Sequence, residues 1–88
     1  MLIEFFTEWI GTFIFLTVIL KTGDALAIGI ALASVIYFGG KVSGGNYNPA
    51  VSFMMLLSKK LDTSKFVVFV IAQLLGATSA YLFHSYTK

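Results

Sequence analysis

The sequence predicts an all-α membrane protein with three transmembrane helices and one shorter helix that enters the membrane and turns back. Its 88 residues are 58% hydrophobic and only 11% charged, and a mean hydropathy of +0.91 lies above the range of soluble domains. The apolar residues form three long runs, at about 3–20, 25–38 and 66–83, each able to form a span. A polar, turn-forming stretch and a short helix, at 43–58, separate the second run from the third.

The first run carries a polar stripe. Glu4, Glu8 and Thr12 recur every four residues, so they lie on one side of the helix. A carboxyl group inside a span needs hydrogen-bond donors from the protein. We therefore expect this stripe to face the interior of the bundle, with Glu8 close to backbone donors. A helix that begins one turn later would instead place Glu8 at the membrane surface.

The second and third runs each carry small residues at steps of four, a spacing that lets helices approach closely. These residues are Ala25, Gly29 and Ala33 in the second run, and Ala72, Gly76 and Ala80 in the third. We expect the second helix to end at Gly39 and Gly40, because glycine favours helix ends. In the third run Gln73 places an amide in mid-membrane, where it needs a partner, and Asp62 or Thr63 can cap the helix start.

The stretch Ser43 to Val51 predicts the start of a half-length helix. Its two glycines permit backbone angles that are closed to other residues. Asn48 precedes the only proline, so we expect Asn48 to be the N-cap and Pro49 the first helical residue. A helix from there to Ser58 is about 13 Å long, far short of a bilayer core of about 30 Å. A half-length helix that points from an unwound loop toward the membrane centre is typical of a solute or ion site.

Three crossings place the two termini on opposite sides of the membrane. The lysines on the side where this loop begins and ends are Lys41, Lys59, Lys60 and Lys65, and those on the other side are Lys21 and Lys88. Four lysines against two is a weak bias under the positive-inside rule. The chain can therefore insert in both orientations.

Composition also argues against several functions. The six basic residues are all lysine and are scattered, so nucleic-acid binding is not expected. Cysteine is absent, which excludes disulfides and thiolate sites, and the single histidine, His84, has no second histidine with which to share a metal. Glu4 and Glu8 lie on the first run, Asp24 and Asp62 lie in two separate connections, and none of the four is part of a nucleophile–base pair. We expect neither an enzyme nor a cofactor.

Three motifs, in this order, resemble the major intrinsic proteins, the family of aquaporins and glycerol facilitators. They are Glu8-Trp9-Ile10-Gly11-Thr12, then Ser43-Gly44 through Asn48-Pro49-Ala50-Val51, then Ile71-Ala72-Gln73-Leu74-Leu75-Gly76-Ala77. The family's proteins consist of two inverted repeats of three spans and one half helix, and the two half helices meet at the midplane. The resemblance covers nearly the whole chain and implies one first-half repeat, residues 1–88.

The resemblance implies roles for the loop and its supports. Asn48 would donate its amide to a permeating water or hydroxyl, and Pro49 and Ala50 would seat one half helix against its counterpart. A ladder of acceptors along the pore would be formed by the carbonyls of Gly44, Gly45 and Asn46. Support for the loop would come from the side chains of Glu8 and Gln73.

The chain departs from the family pattern because it has one Asn-Pro-Ala and no internal repeat. A single copy cannot enclose a pore, and unpaired backbone groups in hydrocarbon cost several kcal/mol each. We expect an antiparallel pair of identical chains related by a twofold axis in the membrane plane. By analogy with the family, four such pairs would assemble.

The second departure concerns the constriction. The family's second repeat places an arginine directly after Asn-Pro-Ala, whereas this chain has Val51 there and no arginine at all. Ile28 takes the place where water channels commonly have an aromatic residue, and Ile36 aligns with the other span position. Such an apolar constriction favours selection by size and dewetting, so we expect a passive channel for water and small neutral solutes such as glycerol.

Two alternatives stay open. In the first, the chain is a non-conducting membrane protein that pairs with a full-length channel. In the second, it is the first half of a longer aquaporin. The complete third span and the polar C-terminal end favour a finished protein, and Val51 fits a first-half origin in every case.

Overall fold

The computed structural model describes all 88 residues, which form four helices and no strands. The helices are α1 (Leu2–Thr22), α2 (Ala25–Ser43), α3 (Pro49–Leu57) and α4 (Thr63–Tyr86). Helices α1, α2 and α4 are long and apolar enough to cross a membrane. Helix α3 has nine residues and is too short to do so. The predicted fold class, three spans and one half helix, is confirmed.

Helix α1 is the centre of the bundle. It packs against α2 on one side and α4 on the other, and α3 packs against α4. Helix α2 approaches neither α3 nor α4 closely. Only 14 of the 88 residues are buried, so most of the apolar surface is available to lipid or to another chain.

The interface between α1 and α4 is built on small residues. Its buried members on α4 include Ala72, Gly76 and Ala80, the small-residue stripe expected from the sequence. A Cβ added at Gly76 would lie 2.8 Å from the Cβ of Thr12 and 2.9 Å from the carbonyl oxygen of Trp9. The two backbones therefore approach closely because glycine stands there. The Trp9 Nε1 donates to the Ser79 Oγ across the same interface at 3.0 Å.

Helix α2 does not stop at Gly39 and Gly40, as the sequence led us to expect, but continues to Ser43. Gly44 ends it with a left-handed φ of 94° and donates its N–H to the Gly40 carbonyl. The glycine pair is within the helix because Gly39 is buried where the following loop packs against it. The extension carries Ser43 to the middle of the site described below.

The small residues Ala25, Gly29 and Ala33 make no helix contact within the chain. All three are exposed, and a Cβ at Gly29 would meet no atom within 4 Å. The buried residues of α2 are Val35, Gly39 and Ser43. These also recur every four residues, but they lie nearer the loop, so the loop determines which side of α2 packs inward.

Both N-caps expected at the ends of the connecting segments are present. The Asn48 Oδ1 accepts from the Ala50 N–H at 2.7 Å, with Pro49 at the first helical position. The Asp62 Oδ1 accepts from the Lys65 N–H at 2.8 Å and so starts α4. The first cap fixes where the loop ends and the half helix begins.

Candidate functional site

The loop between α2 and α3 has an unusual backbone. Gly44, Gly45 and Tyr47 have left-handed φ angles of 94°, 68° and 56°. Glycine adopts such angles at little cost, but a tyrosine in this region is strained. Strained residues persist only where their surroundings hold them. The strained backbone of Tyr47 therefore has to be held by its neighbours.

The carboxyl group of Glu8 holds the loop from inside the bundle. Its Oε1 accepts from the Tyr47 N–H at 2.7 Å and from the Gln73 Nε2 at 2.9 Å. Its Oε2 accepts from the Ser43 Oγ at 2.6 Å and from the Asn46 N–H at 3.1 Å. Glu8 is 0% exposed, so these four bonds replace the water that a buried carboxyl group loses. They join α1 to the end of α2, to the loop and to α4.

A serine on the half helix extends this polar network. The Ser52 Oγ accepts from the Gln73 Nε2 at 2.8 Å and from the Asn46 Nδ2 at 2.9 Å. All three residues are buried. Helix α3 is thereby joined to α4 and to the loop by hydrogen bonds as well as by packing. The amide of Gln73, which needed a partner in mid-membrane, has two, Glu8 and Ser52.

The ring of Tyr47 lies in a slot made by two glycines. A Cβ at Gly11 on α1 would overlap the Tyr47 ring, and one at Gly39 on α2 would overlap the Tyr47 hydroxyl. The Tyr47 hydroxyl donates to the Val35 carbonyl oxygen, and the residue is 2% exposed. The slot and the two hydrogen bonds of Tyr47 account for its strained backbone.

Sequence reasoning missed Tyr47 and Ser52. The signal for Tyr47 was a glycine in each of two neighbouring spans beside the one large side chain in the loop. No comparable signal existed for Ser52, because a serine within an apolar helix commonly bonds its own backbone. Its place in the network depends on the angle at which α3 meets α4.

The opposite side of the loop is exposed. Asn48, Pro49 and Ala50 are all exposed in the single chain. The oxygen of the Asn48 amide is used by the N-cap, and its Nδ2 has no partner within the chain. No hydrogen bond within the chain reaches the backbone carbonyls of Gly44, Gly45 and Asn46. The Asn48 Nδ2 is thus free to donate to a small polar molecule on the exposed side.

The three residues expected at a constriction do not meet within one chain. Ile36 lies beside the loop, since a Cβ at Gly45 would be 3.5 Å from the Ile36 Cα. Ile28 is two helical turns earlier on α2, about 12 Å away along the axis. Val51 is on α3, which has no close approach to α2.

A model of one protein family, described as Major intrinsic protein, matches residues 17–88. The match takes in the loop, the half helix and the whole of α4. It therefore covers most of the chain and all of the site except Glu8 and Gly11.

Individual relatives agree with this match. The chain is 40% identical over 86 residues to glycerol uptake facilitator protein-like 6 of Lactiplantibacillus plantarum, covering 88% of this chain and 40% of the relative. It is 36% identical over 87 residues to aquaporin PIP1-6 of Zea mays, covering 80% and 29%. It is 42% identical over 55 residues to the lens fiber major intrinsic protein of Ovis aries, covering 62% and 21%.

The chain thus spans 40% or less of the length of these relatives. Its three apolar helices make it an integral, multi-pass membrane protein. On the evidence of the family match and of these relatives, the chain belongs to the major intrinsic protein family.

Proposed function

We propose that two copies of the chain pair antiparallel in the membrane and form a passive channel for water and small neutral solutes such as glycerol. The observation that carries the proposal is the exposed side of the loop. Asn48, Pro49 and Ala50 are uncovered there, and the Asn48 Nδ2 and three backbone carbonyls of the loop have no hydrogen-bond partner within the chain. The names of the relatives, a glycerol uptake facilitator and aquaporins, support a channel of this kind.

The need for two copies follows from the same surface. Polar backbone groups facing hydrocarbon cost several kcal/mol each, so one copy leaves an unfavourable open groove. A second copy, turned over about an axis in the membrane plane, covers it with an identical loop. The two half helices then meet at the bilayer midplane through Pro49 and Ala50.

In such a pair, the polar groups of the loop contact the permeating molecule. The Asn48 Nδ2 of each copy donates to the oxygen of a passing water or hydroxyl. The carbonyls of Gly44, Gly45 and Asn46 accept its hydrogens along the path. The N-terminus of each α3 carries a partial positive charge, which disfavours cations and protons at the midplane.

The constriction in this channel is apolar. Ile28 and Ile36 of one copy face the path with Val51, and no arginine stands beside Asn-Pro-Ala. A ring of aliphatic side chains offers no hydrogen bonds, so it selects by size and by the cost of dewetting. We therefore expect glycerol to pass as well as water.

The test measures flux through phosphatidylcholine liposomes that contain only this chain, by light scattering after osmotic steps with sucrose and with glycerol. The wild type is expected to equilibrate water and glycerol faster than empty liposomes. Asn48→Leu should return both rates to the lipid background while cross-linked pairs persist. Asp24→Ala is the matched control, because it removes the equivalent N-cap from α2, where Asp24 Oδ2 accepts from the Ala27 N–H at 2.8 Å, and it should conduct normally.

Three results would contradict the proposal in different ways. Background flux from liposomes that contain cross-linked pairs would favour a non-conducting protein that partners a longer channel. Absence of cross-linked pairs would favour the alternative that the chain is the first half of a longer aquaporin and needs a different second half to form the pore. Unchanged flux in Asn48→Leu would show that the path does not pass Asn48.

A further inference from the structure

A groove of about 400 Å³ runs along the outside of the chain between α1 and α2. We call it the α1/α2 groove; the side chains that line it include Phe6, Ile10, Ile14, Val35, Phe38 and Tyr47. The hydroxyl of Thr7, which also lines it, donates to the Ile3 carbonyl at 2.7 Å and needs no other partner. An occupant of this groove therefore has to be apolar.

The floor of the α1/α2 groove belongs to the loop. Gly11 and Gly39 leave the bottom of the groove without side chains, and the ring of Tyr47 fills the space between them. The Tyr47 N–H is held by Glu8, and the next residue along the chain is Asn48. An occupant of the groove therefore contacts the ring of Tyr47, the residue that precedes Asn48 and positions it.

The dimensions of the groove match one lipid chain. On α1 it extends from Ile3 to Ile14, about 16 Å at 1.5 Å per residue. That is about half of a hydrocarbon core of about 30 Å, the depth of one leaflet. Since Glu8 bonds Ser43, the Ile3 end of α1 lies beside the C-terminal end of α2. The groove thus opens at one membrane surface and closes near the midplane.

Lys41 lies nearly one turn of α2 beyond the groove-lining Phe38, toward the open end of the groove, and does not itself line it. Lys41 follows Phe38 by three residues, so the two share a side of α2. Lys41 is exposed and forms no ion pair within the chain, where the ion pairs are Glu4 with Lys65 and with the N-terminus. An unpaired lysine at headgroup depth is complementary to a phosphate.

We propose that the α1/α2 groove binds one anionic phospholipid, with an acyl chain on the Tyr47 ring and the headgroup phosphate at Lys41. The bound lipid braces Tyr47 in its strained conformation. It therefore stabilises the loop from the membrane side, while Glu8 holds it from inside the bundle. Binding does not depend on conduction, so this site and the proposed channel stand or fall separately.

The test is native mass spectrometry of the detergent-purified chain with equimolar phosphatidylglycerol and phosphatidylcholine of the same acyl chains. One phosphatidylglycerol per chain should be retained, with about fivefold preference over phosphatidylcholine, the effect of one lysine near an anionic headgroup. Lys41→Gln should remove the preference. Lys60→Gln is the matched control, a lysine on the same membrane side that lies between α3 and α4, away from the groove, and should keep it.

A second pair of variants tests the acyl chain. Ile10, on the rim of the groove, is 54% exposed, so Ile10→Trp fills the groove without disturbing the bundle interior. It should lose retention of both lipids. Ile71→Trp is the control, since Ile71 is 50% exposed on α4 and outside the groove, and it should bind as the wild type does.

Thermal unfolding distinguishes lipid bound in the groove from lipid bound elsewhere on the chain. Phosphatidylglycerol should raise the midpoint of the wild type and of Ile71→Trp more than phosphatidylcholine does, and should leave Ile10→Trp unshifted. The proposal is overturned if the wild type shows no preference or if Ile10→Trp retains lipid fully. It is also overturned if Ile10→Cys cross-links to itself, because a second copy would then occupy the groove.

Discussion

The two sides of the loop between α2 and α3 differ in how their polar groups are satisfied. On the side toward the bundle, the N–H groups of Asn46 and Tyr47 and the hydroxyl of Ser43 all donate to one buried carboxyl group, that of Glu8. On the other side, Asn48 is exposed and its Nδ2 has no partner. The loop is thus fixed by its own chain on one side and incomplete on the other.

This difference separates folding from function. Substitutions on the Glu8 side should lower the free energy of unfolding, because the bonds that they remove are internal to one chain. Substitutions on the Asn48 side that leave the N-cap of α3 in place should change flux and leave stability nearly unaltered.

The largest loss is expected for Glu8→Ala. It leaves the N–H groups of Asn46 and Tyr47 buried without an acceptor and removes the short bonds from Ser43 and Gln73. Each unpaired buried donor costs about 1–3 kcal/mol, so unfolding should become easier by about 4 kcal/mol. Glu8→Gln keeps the size of the side chain but turns an amide N–H₂ toward two of those donors, and should lose about half as much. Loss of helical circular dichroism on heating in mild detergent measures both. A Glu8→Ala midpoint equal to wild type would contradict the account of the loop.

The next largest loss is expected for Gly39→Ala. The added Cβ overlaps the Tyr47 hydroxyl and comes within 2.9 Å of the Thr7 Cγ2, an overpacking that costs about 1–3 kcal/mol. Gly29→Ala on the same helix is the control, because its Cβ meets nothing within 4 Å and alanine favours a helix by about 0.5–1 kcal/mol over glycine. The two variants should shift the same unfolding midpoint in opposite directions. Equal shifts would show that the slot for Tyr47 is not tight.

A smaller loss, about 1 kcal/mol, is expected for Tyr47→Phe. This change removes the hydrogen bond to the Val35 carbonyl but keeps the ring between Gly11 and Gly39. Tyr37→Phe is the control, since Tyr37 is 76% exposed and should be neutral. If both variants unfold alike, the Tyr47 hydroxyl contributes nothing to holding the loop.

The smallest change in stability, within about 0.5 kcal/mol, is expected for Ala50→Leu, because Ala50 is exposed and leucine is a good helix former. Its effect should appear in liposome flux, which should fall to background because the larger side chain separates the two half helices. Ala33→Leu, at an exposed position on α2, is the control and should conduct. Normal flux in Ala50→Leu would place the contact between copies elsewhere.

Sequence patterns sufficed for the elements and for one side of the loop. Run lengths of apolar residues predicted three spans, and Asn48 before Pro49 predicted where the half helix begins. The polar stripe of α1 led to Glu8 facing the interior, because a carboxyl group in a membrane has few other solutions. These features depend on neighbouring residues or on the thickness and polarity of the bilayer, so they can be predicted from a single sequence.

The rest depended on how the helices meet. The glycine pair at Gly39 and Gly40 suggested a helix end, whereas tertiary contact with Tyr47 gave Gly39 a place inside the helix. The burial of Ser52 followed from the packing of α3 on α4. The angles at which helices pack cannot be read from hydrophobic periodicity or from turn preferences. Tyr47 and Ser52 were therefore identified only from the structure.

The most direct test of the central claim, that two antiparallel copies meet at Asn48-Pro49-Ala50, is disulfide cross-linking of single-cysteine variants in membranes. The natural chain has no cysteine, so each variant carries only the one introduced. Ala50→Cys, near the twofold axis, should cross-link to itself. Ser85→Cys, near the far end of α4, should not, because antiparallel copies hold it at opposite surfaces. Cross-linking of Ser85→Cys but not of Ala50→Cys would contradict the antiparallel pair.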